Sequence, residues 1–467
     1  MSALLIASRT LFRRPRRTVL LLLGYGLGVG VMVALLAVGD ALLQQAQDRD
    51  VVAGGDLVLL PEGIDPEVLK VGAATGMFLE IPNARALARQ ILLGPRYADT
   101  IASVSPEVTD RLVYIRVRGK VYPAKAAGIL PSAAHRTRSA LAVPGWEDTP
   151  QDRAWLRPDP RVELVEMDQF HAPSGPSWAE WWYFNFMDPA GPYGYLTFAA
   201  DGQRRATVAV TVRLGDRLIR WTESHAGAML PEGTRSEPAF AAGPHRVDLR
   251  GGAYHIRLRR TAFAADLVVR SEQPAWVFPP VEWRSKNVRS GYVVPILRGT
   301  ITGRIRAFDR TTSIRGVAYH DHNWGNWARV TWEWGTASTP QYALLTGLVR
   351  HPELPGRETF LALYAQHPSR PGLLATMRGT IPELDRWRSQ GSMRLPGRLR
   401  YRAANDAGDR LAVEITVRDT VLSPVQSLLF LQMRGRYHVT GRVAGRGVRF
   451  EAEGFAETFL PRGRTVR

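Results

Sequence analysis

The 467-residue sequence has no cysteine and only four lysines, Lys70, Lys120, Lys125 and Lys286. Without cysteine there can be no disulfide, thiolate metal site or cysteine nucleophile. The absence also suits a chain that resides in an oxidising compartment. No G-x-S-x-G elbow, no P-loop and no dinucleotide fingerprint behind a strand is present, which sets serine-hydrolase and nucleotide-dependent chemistry aside. No cofactor is expected. Most of the basic residues are spread rather than clustered, although the net charge is +18, from 61 basic and 43 acidic residues. The arginines alternate with apolar residues, as in His255-Ile-Arg-Leu-Arg-Arg260. That pattern describes a solvated β face rather than a nucleic-acid surface, and anionic lipid headgroups are a natural counterpart for the excess charge.

One uncharged run stands out, Thr18 to Gly39. At about 1.5 Å per residue it spans about 33 Å, enough for a bilayer core. Arg9, Arg13, Arg14, Arg16 and Arg17 precede it, and Asp40, Asp48 and Asp50 follow. The positive-inside rule places the N-terminus in the cytoplasm and the bulk of the chain in the periplasm or its extracytoplasmic equivalent. The expected localisation is a single-pass inner (cytoplasmic) membrane protein. A cleavable signal peptide is the competing reading, with Ala37-Val-Gly39 as its cleavage site; the run exceeds the roughly 7–15 residues of a signal core, which favours a retained anchor.

The stretch from Ala7 to Leu22, together with Gly54-Gly-Asp-Leu-Val-Leu-Leu-Pro61, Ile101 to Pro106 and Val113 to Ala126, resembles the start of the permease subunits of ABC exporters acting on lipoproteins and macrolides. The resemblance covers about residues 1–130 and lacks the later spans of that family. It implies an exporter context, with an ABC transporter ATPase and a separate permease as candidate partners.

Beyond the Pro-, Asp- and Trp-rich passage from Pro144 to Pro160, short alternating runs recur: Ala206 to Leu214, Ala253 to Leu258, Gly299 to Arg306, Ala412 to Val417 and His438 to Val443. Turn signals at Asp201-Gly, Gly215-Asp, Ala407-Gly and Gly445-Arg-Gly separate others. The pattern predicts a mainly β fold, either two successive antiparallel barrels or one long curved sheet.

Two constellations carry candidate chemistry. In Trp178-Ala-Glu-Trp-Trp-Tyr-Phe-Asn185, with His171 ahead of it, strand alternation puts Glu180, Trp182 and Phe184 on one face and Trp181, Tyr183 and Asn185 on the other. A carboxylate among such aromatic surface has its pKa raised unless it is paired. In Tyr319-His-Asp-His-Asn-Trp-Gly325, Tyr319, Asp321 and Asn323 share one face, and His320 and His322 the other. The His-x-His spacing permits a shared metal ion, but no third ligand is assigned and no metal is expected. Asp321, flanked by donors, is the better candidate for acid chemistry.

Glu180 to Asn185 paired with Tyr319 to Gly325, continued by Trp332-Glu-Trp-Gly335 and Ser285-Lys-Asn-Val288, resembles the hydroxyneurosporene synthase family of carotenoid 1,2-hydratase-like, or AttH-like, proteins over about residues 160–460. The resemblance implies two lipocalin-like (calycin) barrels. It also implies Asp321 as proton donor and Tyr319 as its companion, in a reaction that adds water to, or isomerises, an isoprenoid double bond. Glu180, Trp182, Tyr183, His320, His322, Asn323, Trp324 and Trp332 would line the ligand site. The hydratases also carry a His and a Trp upstream of the Tyr-x-Asp element, where this chain has Gly291-Tyr-Val-Val-Pro-Ile-Leu-Arg298.

The expected organisation is a basic tail (1–17), a transmembrane helix (18–39), a small α+β permease-like segment with linker (41–157), and barrels at 158–335 and 336–467. The expected role is that of a membrane-anchored protein binding a hydrophobic small molecule or lipid beside an exporter. The hydratase is the alternative.

Overall fold

The computed structural model describes residues 15–47, 57–60, 81–137 and 168–461, the last stretch interrupted at 172, 174, 176, 204, 227–238, 273–277, 285–288, 352–353, 356–358, 366–371, 391–392 and 426–427. The basic tail before Pro15, residues 54–56 and 61 of the Gly54 motif, the Pro144–Pro160 linker and Ser285 to Val288 lie outside the described residues. The chain divides into two compact units, residues 1–79 with 103–152, and residues 80–102 with 153–467.

The first unit holds helix α1 (Pro15–Gln47) and the antiparallel hairpin of β1 (Glu107–Val117) and β2 (Lys120–Ile129), followed by the short α3 (Pro131–Thr137). Pro15 opens α1, where its fixed φ and missing N–H cost nothing. Residues Pro15–Val38 have a mean hydropathy of 2.5 with none of the segment buried. Leu20, Leu23, Tyr25, Leu27, Leu35 and Leu36 are exposed. Among the described residues this is the one helix long and apolar enough to cross a membrane, as a span or a signal anchor. The segment expected at 41–157 is shared between the units, because α2 (Ile81–Leu93) groups with the barrels. There Gln90 Oε1 accepts the Leu373 amide at 3.0 Å, and Arg96 Nη1 meets Asp409 Oδ2 at 2.6 Å.

The second unit is β-built, as expected. Its first sheet comprises β3 (Trp178–Met187), β4 (Tyr193–Asp201), β5 (Ala206–Leu214), β6 (Arg217–His225), β7 (Ala239–Ala242), β8 (His245–Arg250), β9 (Ala253–Arg260), β10 (Phe263–Ser271), β11 (Phe278–Arg284), β12 (Arg289–Ala307) and β13 (Arg310–Asn326). The order is β6-β5-β4-β3-β13-β12-β10-β9-β8-β7, with β11 also on β12. Only the seam between β6 and β7 lacks a described ladder; Glu223 on β6 nevertheless reaches His245 on β8 at 2.9 Å.

The second sheet comprises β14 (Thr331–Ser338), β15 (Tyr342–His351), β16 (Leu354–Pro355), β17 (Thr359–Ala365), β18 (Gly372–Gly379), β19 (Glu383–Asp385), β22 (Arg398–Ala404), β23 (Arg410–Val425), β24 (Leu428–Val443) and β25 (Arg446–Pro461). A separate small hairpin, β20 (Arg388–Gln390) with β21 (Met393–Leu395), lies before β22. Because β14 pairs with both β15 and β25, this barrel closes on itself. Turns fall where glycine permits positive φ, as at Gly215 and Gly408. The β24–β25 turn takes positive φ at both Ala444 and Gly445, the twist that suits a two-residue hairpin.

Three apolar clusters follow. Trp182, Phe184, Phe198, Tyr254 and Ile256 fill the first barrel, and Leu344, Leu363, Leu399, Ile415, Leu431 and Tyr437 fill the second. The third, including Tyr183, Tyr195, Tyr292, Tyr319, Trp334, Tyr364 and Phe455, joins the barrels through residues on the outward faces of their strands. A strand whose two faces are both covered loses the hydrophobic-in, polar-out alternation, and β3 and β13 are of this kind.

Strand β13 lies close against β3 at Gly316, where an added Cβ would stand 2.0 Å from the Met187 carbonyl oxygen. Backbone cannot yield as a flexible side chain can. Gly316→Ala is expected to destabilise the second unit by about 1–3 kcal/mol, in the range of overpacked cores. Chemical denaturation of the purified chain measures it.

Candidate functional site

The β3–β13 register sets the site. Opposite one another stand Phe184 and His320, Trp182 and His322, and Glu180 and Trp324 on the face inside the first barrel. Asn185 and Tyr319, Tyr183 and Asp321, and Trp181 and Asn323 pair on the other. The residues expected to line one ligand site are therefore divided between two sites, back to back on the same strands.

The inner site is ionic. His322 Nε2 lies 2.8 Å from Glu180 Oε1, and His322 Nδ1 lies 3.0 Å from Asp168 Oδ1, a close ion pair whose direction is off that of a hydrogen bond. Asp168 is fully buried and also accepts the Tyr254 hydroxyl at 2.8 Å. Glu180 accepts the His171 amide at 3.0 Å, and His171 Nδ1 stands 2.8 Å from Glu180 Oε1. Aromatic faces wall the group: Trp182 stacks on His322 at 4.1 Å, Phe184 on His320 at 4.0 Å, and Trp324 on His171 at 3.7 Å. Gly291, across from Trp324, leaves room for that indole, since a Cβ there would meet it at 2.4 Å.

Burial opposes charge on His322, but the close carboxylates of Asp168 and Glu180 override it and push its pKa up to about 9. Burial likewise opposes ionisation of Asp168, yet His320 and His322 bring it down to about 2. Glu180, expected to have its pKa raised by its aromatic surroundings, is held below the usual carboxylate range: against the cost of burial, His171 and His322 supply hydrogen bonds. His320 and His322 do not share one ligand point, because His320 Nδ1 bonds the Tyr183 carbonyl and its Nε2 faces Asp168. His322 converges instead with His171 and Glu180, whose ligand atoms all lie within 4.8 Å of one another.

The outer site lies between the barrels. Asp321 Oδ1 accepts Asn323 Nδ2 at 2.6 Å, and the Tyr319 hydroxyl accepts Trp334 Nε1 at 2.8 Å. From β25 comes Glu457, which accepts Trp332 Nε1 at 2.9 Å and Gln432 Nε2 at 3.0 Å. Burial first, and the neighbouring Glu457 second, raise the Asp321 pKa well above the carboxylate range, against hydrogen bonds from Tyr319 and Asn323 that lower it. Burial raises Glu457 too. The hydroxyls of Tyr183 and Tyr195 are buried here; that of Tyr183 lies beside Asn185 and Glu457, and no well-formed hydrogen bond reaches that of Tyr195 among the described residues. Nearer the surface, half-buried Trp181, Trp327, Trp332, Phe430 and Phe459 stand together, with Trp332 4.7 Å from Phe459 and 5.3 Å from Phe430.

Asp168, Tyr195, Gln432 and Glu457 are site residues that the sequence reading does not single out. Glu457 shares a face of β25 with Glu451 and Glu453, which pair with surface arginines, so its charge alone suggests solvent.

The sign of the pH dependence follows from the inner site. His322 has a folded pKa raised from 6.5 to about 9. Its contribution, on the order of 3 kcal/mol, is fully present below pH 6.5 and lost as the pH rises through about 9. Asp168 is lowered from 3.8 to about 2, so its contribution is present above 3.8 and lost as the pH falls through about 2. Unfolding in chelator-containing buffer should show stability declining from pH 6.5 to 9, and His322→Ala should abolish that slope.

Among curated proteins no relative matches. Similar solved structures include an AttH-type protein from Nitrosomonas europaea, at 15% identity and TM-score 0.44, over 68% of this chain and 97% of that one. Kievitone hydratase from Nectria haematococca matches at 12% and 0.44, over 64% and 92%, and CghA with Sch210972 at 12% and 0.43, over 62% and 90%. None of these findings supports the permease resemblance of the N-terminal part. A family model matches residues 165–448, from just before Asp168 to the start of β25. The chain belongs to that family, described as Domain of unknown function (DUF7064).

Proposed function

We propose that the protein is an anchored two-barrel protein that binds a hydrophobic, isoprenoid- or lipid-like ligand between its barrels, next to Asp321. One observation carries the reading: near Asp321 the interface holds the buried Tyr195 hydroxyl, which no well-formed hydrogen bond reaches among the described residues, below a half-buried patch of Trp and Phe. Buried polar groups cost free energy unless they are paired, and a ligand oxygen or π bond could pair them. Each barrel interior is already filled by its own side chains, which favours the space between the barrels.

A second reading, acid catalysis, is favoured by the raised pKa of Asp321. A carboxyl group that keeps its proton can donate it. The π electrons of an alkene would take the Asp321 proton as a new C–H bond, leaving a tertiary carbocation and the Asp321 carboxylate. Water then adds to the cation, and its surplus proton returns to Asp321, so that alkene and water give an alcohol. Tyr319, buried beside Asp321, would position the acid, and aromatic faces would shelter the cation.

The helix α1 would hold this module at a membrane.

Asp321→Asn separates the two readings. It removes a buried acid of raised pKa, so stability at pH 7 is expected to rise by on the order of 1 kcal/mol. Lipids that co-purify with the wild type under gentle extraction, identified by mass spectrometry, should still co-purify with the variant. If hydration or isomerisation of an isoprenoid alkene is detected in the wild type and lost in the variant, the enzyme reading holds. Undiminished turnover in the variant refutes it, and the absence of any co-purifying hydrophobic ligand refutes the binding reading.

A further inference from the structure

We propose that His171, Glu180 and His322 form a binding site for one divalent transition-metal ion of the zinc type. The site lies inside the first barrel, on the face of β13 opposite Asp321, and does not depend on the reading of the outer site.

The ligand set comes from three places: His171 from the segment before β3, Glu180 from β3 and His322 from β13. Glu180 Oε1 lies 2.8 Å from His171 Nδ1 and 2.8 Å from His322 Nε2. Around an ion bound at about 2.0–2.2 Å these atoms need only spread by several tenths of an ångström. Two imidazoles and one carboxylate suit zinc and its neighbours and disfavour calcium or magnesium, which prefer all-oxygen shells.

The surroundings are those of a held site. His322 presents Nε2 to the centre, while its Nδ1 faces Asp168 at 3.0 Å, the carboxylate–histidine–metal arrangement that fixes a ring and raises its basicity. Asp168 is in turn held by the Tyr254 hydroxyl, and Glu180 by the His171 amide. With neutral imidazoles, Asp168 and Glu180 place two negative charges in a buried space, which a divalent ion would neutralise; the field of Arg289, which reaches His171, is the smaller opposing effect. The His171 side chain is 21% exposed, against 0% for His322 and 2% for Glu180, so entry and a fourth coordination position lie on its side.

A second group, Glu223, His225 and His245, has similar ligand types. There Arg260 Nε already occupies Glu223 Oε1 at 2.7 Å and would repel a cation. The inner group has no such competitor on Glu180 among the described residues.

The test uses the full chain in detergent, stripped with a chelator and titrated with Co²⁺, followed by visible absorption and by calorimetry with Zn²⁺. One ion per chain is expected, bound at micromolar concentration or below. His171→Ala should weaken binding about 100-fold or more, whereas His225→Ala should leave it unchanged. No binding by the wild type below millimolar metal, unaltered binding by His171→Ala, or loss with His225→Ala would each overturn the proposal. If His171→Ala fails to fold, His171→Cys decides. The chain has no other cysteine, so a thiolate-to-cobalt charge-transfer band reports ligation at position 171, and its absence refutes it.

Discussion

The antiparallel register of β3 against β13 is the constraint on which both candidate sites depend. Successive residues of a strand point to opposite faces, so one pair of strands presents two different chemistries with no extra machinery. On the inner face the pairs Trp182–His322 and Phe184–His320 build an ionic group walled by aromatics. On the outer face Tyr183–Asp321 and Asn185–Tyr319 meet the second barrel. A slip of one residue would exchange the faces, turning Asp321 into the first barrel and the imidazoles of His320 and His322 out of it. The aromatic stacks resist such a slip, because each imidazole has a ring partner directly across the ladder.

The two faces use burial in opposite ways. Asp168 and Glu180 are ionised at little cost because His322 carries a compensating proton between them. Asp321 has no cation as close among the described residues, and burial together with the nearby Glu457 carboxyl raises its pKa. The protein thus keeps an ion-paired brace on one side of β13 and a buried acid of raised pKa on the other. His322 and Asp321 are adjacent in sequence, and fixing the ring of one restricts the backbone that carries the other.

Much of this architecture is legible in the residues. Period-two alternation in Ala206–Leu214 and the turn glycines at 215, 408 and 445 identify the β class. Assigning Glu180 and Trp182 to one face and Tyr183 to the other needs only the strand period. Other features depend on tertiary partners. Asp168 and His171 precede β3 outside any periodic run, and become readable only when His322 is brought to them. Glu457 lies on a face that begins in solvent at Glu451 and ends under the first barrel, so its charge pattern suggests exposure throughout. The low pKa of Glu180 has the same origin: a lone strand predicts desolvation, and the folded chain supplies two histidines.

The central claim is that the contact between the barrels holds a carboxyl group that stays protonated at neutral pH. Infrared difference spectroscopy between the wild type and Asp321→Asn at pH 7 addresses it directly. The account predicts a protonated carboxylic-acid C=O band in the wild type that is absent from the variant. A carboxylate band at that position instead, or no carboxylic-acid band lost on substitution, would contradict it.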